Sequence, residues 1–270
     1  MPSTFEPRPG CRAVPQGTPH LVVEGLTMAY GSRVIQRDLS FTILRGDIFV
    51  IMGGSGCGKS TLMRHMIGLK RPAAGRIVFD GVSLWEAEAE ERARLLRRAG
   101  VTYQSAALWS SMTLAENVAL PMELYTDLSP AEIRELVALK LALVGLAGLE
   151  DAYPAELSGG MRKRAGIARA LALDPEILFF DEPSAGLDPI TSRRLDDLIV
   201  ELRENLGTTV VLVTHELPTV LGIGTNSVFL DAEARTQRAV GDPKRLAETC
   251  RDPVVHAFLH REEPAEVSTP

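Results

Sequence analysis

The chain has 270 residues, 45% of them hydrophobic, enough to bury a sizeable core in one large domain or two small ones. Its net charge of −6 and pI near 5.5 argue against nucleic acid as a partner. Cys11, Cys57 and Cys250 are scattered without metal-ligand spacing, which suits a reducing cytoplasm.

Residues 1–20 are proline-rich and lack the apolar stretch of a signal peptide, so a flexible tail is expected there. Leu21 to Tyr30 reads as a strand ending near Gly31. Val34-Ile35, Leu39 to Leu44 and Arg76 to Phe79 read as further short strands, divided by Gly and Asp turns and expected to form an antiparallel sheet. Within this region Ile48 to Met52 is an apolar run expected to be a buried strand. It leads into Gly53-Gly54-Ser55-Gly56-Cys57-Gly58-Lys59-Ser60-Thr61, which fits the phosphate-loop pattern G-x-x-x-x-G-K-[ST]. Residues 61–69 follow as a helix with Leu62, Met63, Met66, Ile67 and Leu69 on one face.

Strand, glycine loop and helix together aim backbone N–H groups and a positive helix end at phosphate oxygens. Lys59 adds a point charge at the β- and γ-phosphates, and the Ser60 hydroxyl suits Mg²⁺. Cys57, beside Lys59 in a loop entering a helix, is either a thiol of lowered pKa or simply a small residue at a permissive position.

Residues 86–98 predict a charged helix with Glu88–Arg92 and Glu90–Arg94 at i,i+4 spacing, each pair worth roughly 0.2–0.5 kcal/mol. Val101 to Tyr103 then leads into Gln104. Residues 105–164 read as mostly helical; Ser129-Pro130-Ala131-Glu132 carries a capping box and an N1 proline, and its helix stops near Gly145. Two more buried strands follow, Ile177 to Phe180 and Thr208 to Val213, with helix-length segments between. A parallel α/β core is the expected outcome.

The first of these strands runs into Asp181-Glu182, the second into Thr214-His215. Parallel sheets present ligand-binding residues at this carboxyl edge. Asp181 suits Mg²⁺, directly or through water, and Glu182 suits a base that orients and polarises an attacking water. His215 falls on the same edge, within reach of a γ-phosphate. Ser158-Gly159-Gly160 opens a helix expected over 162–173; the group is either a second anion site or an ordinary N-cap. Two anion-binding helix ends with one phosphate loop are resolved by a head-to-tail dimer. No apolar run approaches the ~18 residues of a membrane span, so a soluble chain is expected, with any membrane role through a partner.

Together these motifs, from Leu21 to about Leu246, resemble the ATP-binding-cassette ATPase family. The resemblance implies a RecA-like P-loop core with a parallel sheet, an antiparallel β subdomain and an inserted α-helical subdomain. It divides the chain into a tail (1–20), a cassette (21–246, helical insertion about 105–164) and a C-terminal extension (247–270). It further implies that Tyr30 stacks on adenine and that residues 53–61 hold the phosphates of ATP. Ser60, Gln104 and Asp181 attend Mg²⁺. Glu182, His215 and Gln104 take part in hydrolysis. Ser158, Gly159, Gly160 and Asp188 reach the nucleotide of a second copy.

Met161 departs from the family's usual glutamine. The strings Ser158 to Arg164, Ala185 to Ile190, Gln104 to Trp109 and Asp252 to Leu259 look like the Mce/Mla-type branch. That branch implies phospholipid transport between membranes, maintaining outer-membrane lipid asymmetry. Its expected partners are a second ATPase copy, a multi-spanning permease, a periplasmic Mce-type lipid-binding protein and a small cytoplasmic regulator. Its expected place is the cytoplasmic face of the inner membrane. The alternatives are an ATPase for import of a small polar solute and a non-transport cassette protein.

Overall fold

The computed structural model describes residues 17 to 262, so the expectations for most of the amino-terminal tail, for Cys11 and for the last eight residues lie outside it. Two sheets carry the architecture. The first pairs β1 (Pro19–Tyr30), β2 (Arg33–Leu44), β4 (Ala74–Phe79) and β5 (Val82–Ser83) antiparallel, in the order β2-β1-β4-β5.

Sequence reading splits β2 into two short strands at Asp38, and the structure has one continuous strand. Asp38 adopts φ 54 and Gly25 on β1 also adopts φ 54. Each absorbs one extra residue as a bulge, so Leu26 pairs with Leu39 between them and the register survives.

The second sheet orders as β10-β9-β3-β8-β7-β6. Its strands are β3 (Ile48–Gly53), β6 (Ala99–Thr102), β7 (Ile177–Asp181), β8 (Thr209–Val213), β9 (Asn226–Asp231) and β10 (Thr236–Gly241). All pairings are parallel except β9 with β10. β3 and β8 are buried throughout, as expected of strands covered on both faces. Each Val, Ile, Leu or Phe removed from water there contributes about 1.5–3 kcal/mol.

Helices cover both faces. α1 (Lys59–Met66) and α2 (Ala89–Arg97) follow the phosphate loop and the small sheet. α2 is shorter than its charge pattern suggests and forms neither expected i,i+4 pair. Arg92 lies instead 5.3 Å from the Trp85 ring centroid. Between β6 and β7 come α3 (Leu114–Tyr125), α4 (Pro130–Leu143) and α5 (Gly159–Ala170). Reciprocal capping boxes at Thr113/Glu116 and Ser129/Glu132 start the first two. α5 begins three residues earlier than expected, directly after Ser158, which caps it as one of the two sequence readings held.

The remaining helices are α6 (Pro189–Leu206), α7 (Leu217–Ile223), α8 (Pro243–Thr249) and α9 (Pro253–His260). No helix among the described residues is long and apolar enough to cross a membrane.

Candidate nucleotide site

In the large sheet β3, β8, β7 and β6 are consecutive neighbours and run the same way. Their carboxyl ends therefore deliver Gly53, His215, Asp181-Glu182 and Gln104 to one edge. A cleft of about 710 Å³ opens there. It is lined by Gly53, Gly54, Ser55, Gly56, Gly58, Lys59, Ser60, Thr61, Gln104, Glu182 and His215, together with Ile35, Ala185 and Phe258.

The loop geometry explains its glycines. Gly53 sits at φ +139, and a Cβ there would lie 2.3 Å from the Leu230 carbonyl oxygen, so no other residue fits. Lys59 donates to the Gly53 and Gly54 carbonyls at 3.0 and 3.1 Å, which holds its ammonium over the loop. The Ser60 hydroxyl donates to Asp181 Oδ1 at 2.9 Å. Hydroxyl, carboxylate and the Gln104 amide, all hard oxygen donors, are a set that fits Mg²⁺.

Glu182 adopts φ 50, a strained conformation for a residue with a side chain. Its Oε1 meets His215 Nδ1 at 2.9 Å, while its Oε2 is buried with no protein partner. The carboxylate thus reaches the cleft with hydrogen-bonding capacity left unmet. Behind it the Lys163 ammonium donates to the Ala185 carbonyl at 2.7 Å, tying α5 to the turn after β7, and burial lowers its pKa.

Several residues expected at a nucleotide do not line this cleft of the single chain. The Cys57 side chain is turned into the core and 1% exposed; burial raises its pKa, outweighing the Lys59 charge that lowers it. The reactive-thiol expectation is thereby corrected, and only the Cys57 backbone belongs to the loop. Tyr30 is exposed outside the cleft, with the Lys70 ammonium 2.9 Å from its ring centroid. Ser158, Gly159, Gly160 and Asp188 do not line the cleft of their own chain. Ser158 accepts from the Met161 N–H at 3.3 Å and Asp188 from Ile190 and Thr191 at 3.0 Å, as N-caps of α5 and α6. The two helix starts pack closely: a Cβ on Gly160 would lie 2.7 Å from Thr191 Cγ2.

Sequence reading missed Ile35, Lys163, Ala185 and Phe258. Lys163, Ala185 and Phe258 fell within strings singled out in the sequence, Ser158 to Arg164, Ala185 to Ile190 and Asp252 to Leu259, whereas Ile35 carried no signal.

A six-stranded sheet centred on a phosphate-loop strand, with Ser60, Asp181 and Glu182 on its carboxyl edge, defines a P-loop nucleoside triphosphatase. Residues 36–185 match the ABC transporter family. The chain belongs to that family and carries its ATP-hydrolysing domain.

Among its relatives is the "Probable ribonucleotide transport ATP-binding protein mkl" of Mycobacterium tuberculosis, 40% identical over 256 residues, covering 95% of this chain and 70% of that protein. The intermembrane phospholipid transport system ATP-binding protein MlaF of Haemophilus influenzae is 41% identical over 201 residues, covering 74% and 76%. The methionine import ATP-binding protein MetN of Photobacterium profundum is 43% identical over 215 residues, covering 78% and 62%. A dimeric ATP-binding cassette solved in a post-hydrolysis state with ADP and Pi superposes with a TM-score of 0.74 at 28% identity, covering 82% of this chain and 98% of that one.

Proposed function

We propose that this ATPase powers movement of phospholipid between membranes. Two copies would act together on a multi-spanning permease at the cytoplasmic face of an inner membrane, with an Mce-type lipid-binding protein beyond it and a small cytoplasmic regulator beside it. The observation that carries the substrate class is the likeness to MlaF, which spans three quarters of both chains. Supporting it is the tail string singled out in the sequence, Asp252 to Leu259, which forms the packed helix α9.

In the proposed cycle the loop 53–61 binds the triphosphate through its N–H groups. Lys59 turns from the Gly53 and Gly54 carbonyls to the phosphates. Ser60, Asp181 and Gln104 would hold Mg²⁺, which would supply neutralisation of the phosphate charge. The Glu182 carboxylate would accept a hydrogen from the attacking water, and His215 would hold that carboxylate in place. General-base assistance of this kind contributes about 10²–10⁴-fold. Tyr30 would meet the adenine once Lys70 leaves its face. Ser158, Gly159, Gly160 and Asp188 would complete the site of the second copy, in a dimer like that of the solved cassette.

The second reading is import of a small polar solute, favoured by the likeness to MetN. The test is to purify the chain with its native membrane partner and reconstitute the complex in liposomes holding labelled phospholipid. ATP-dependent transfer of label to an acceptor is expected. A complex that moves methionine or another small solute and leaves lipid in place refutes the lipid reading and leaves the ATPase intact.

A further inference from the structure

The carboxyl-terminal helix α9 reaches the nucleotide cleft. Val255 and Leu259 are buried in the same core that holds β3, and Phe258 between them is a wall of the cleft. The Phe258 ring meets Phe229 edge-on at a centroid distance of 5.2 Å. Phe229 pairs in register with Met52, and the next residue, Leu230, pairs with Gly53 and presents the carbonyl against which Gly53 is pressed. Phe258 thus lines one cleft with the Gly53–Ser55 arm of the phosphate loop, the arm whose carbonyls hold Lys59, and is tied to it through β9. Apart from Ile35, it is the one large apolar side chain among the lining residues.

A second route connects the same parts. Asp252 caps α9 by accepting from the Val254 and Val255 N–H groups. Arg238 bridges Asp252 and Asp231. The Asp231 backbone carbonyl accepts from Gln36 Nε2 at 2.8 Å, and that amide nitrogen also donates to the Cys57 carbonyl within the phosphate loop at 2.7 Å. Gln36 is fully buried and its Oε1 has no partner among the described residues. A buried amide kept at that cost fixes the backbone it touches. The tail helix is therefore linked to both arms of the loop, through Phe229 and β9 at Gly53 and through Arg238, Asp231 and Gln36 at Cys57.

We propose that α9 is a built-in part of the nucleotide site, with Phe258 as a positioning residue that holds the Gly53–Ser55 arm in its phosphate-binding shape and walls bulk water from it. The proposal rests on the assignment of the cleft to ATP. An aromatic wall beside a glycine-rich arm limits the arm's freedom before the nucleotide arrives, so its loss weakens binding and leaves the chemical step alone.

The test is steady-state hydrolysis and binding of a fluorescent ATP analogue by the full-length chain. Phe258→Ala is expected to raise KM and the dissociation constant roughly fivefold with kcat within about twofold. Phe258→Leu, which keeps an apolar wall, is expected to restore both to near the wild-type values. Should Phe258→Ala fail to fold by circular dichroism, Arg238→Gln, outside the cleft, is expected to raise KM about twofold to threefold at unchanged kcat. Unchanged KM in the folded variants, or a fall in kcat alone, overturns the proposal. Lys59→Ala is the control for the underlying assignment: if it binds the analogue like wild type, the cleft is not the ATP site, whatever Phe258 does.

Discussion

Glu182 concentrates the strain and the unmet hydrogen bonding of the cleft in one residue. Its backbone is at φ 50, one carboxylate oxygen is spoken for by His215 and the other has no partner. A purely structural acid would be expected to satisfy both oxygens. Glu182→Gln keeps the size, the backbone demand and a partner for His215, and removes only the base. Turnover is expected to fall about 10²-fold or more while affinity for ATP is retained. Steady-state hydrolysis within a few-fold of wild type would remove Glu182 from that role. Lys59→Ala should act on the other parameter, weakening binding itself. Cys57 shows how far a residue's neighbours along the chain mislead: Lys59 is two positions away, yet burial dominates and the thiol is pushed up.

Far from the cleft, at the opposite ends of the parallel strands, the two sheets are joined by charge. Arg45 after β2 and Arg98 before β6 both bind Asp80, which follows β4, and Glu176, which precedes β7. Arg98 and Arg45 hold the Glu176 carboxyl down at about 2. Fully buried His20 of β1 sits among them, with Nδ1 2.7 Å from the Thr209 hydroxyl and its ring edge-on to Phe79. Burial, aided by Arg45, lowers its pKa to about 4. A histidine whose folded pKa is depressed stays neutral in the native state but gains a proton when unfolded. The stability it protects is therefore complete above pH 6.5 and is lost as pH falls towards 4. Between pH 7 and pH 5 the loss should be about 2 kcal/mol. The Glu176 contribution follows only below pH 4.5, as its own folded pKa is approached. Urea midpoints at pH 7 and pH 5 measure this, and His20→Gln should flatten the slope between them. Equal slopes in the two proteins would place the acid sensitivity elsewhere.

On the scale of the whole molecule, the cleft and the start of α5 belong to separate faces of one chain. Ser158 and its glycines line nothing in their own cleft, yet Gly160 brings their helix start hard against that of α6. A second copy placed head to tail would bring this paired edge over the phosphate loop. Ser158→Arg and Lys59→Ala should each be inactive alone. Mixed in equal amounts they should recover up to about a quarter of wild-type hydrolysis, because half the dimers are mixed and each of these has one intact site. Since losing the Ser158 cap costs roughly 1 kcal/mol, folding of that variant is checked first by thermal unfolding. No recovery from two folded variants would mean that each chain completes its own site.

The amino-acid sequence by itself determined the parallel core, the phosphate loop and the acidic pair after β7. These are local: an apolar run fixes a buried strand, glycines fix the loop, and the carboxyl edge of a parallel strand fixes where Asp181, Glu182 and His215 emerge. The capping box at Ser129 and Glu132 and the N1 proline at Pro130 were legible for the same reason, being matters of three or four adjacent residues. Only the tertiary structure decided which way Cys57 turns, because Gln36 and the core around β3 claim that loop from a distance. It decided that Asp38 is a bulge rather than a turn, since its extra residue is offset by the one at Gly25 on the neighbouring strand, with the Leu26–Leu39 pair between them. It also decided that Phe258 stands beside a loop 200 residues earlier in the chain. That placement depends on β9 lying next to β3, a pairing that no spacing along the chain encodes and that the packing of the whole sheet selects.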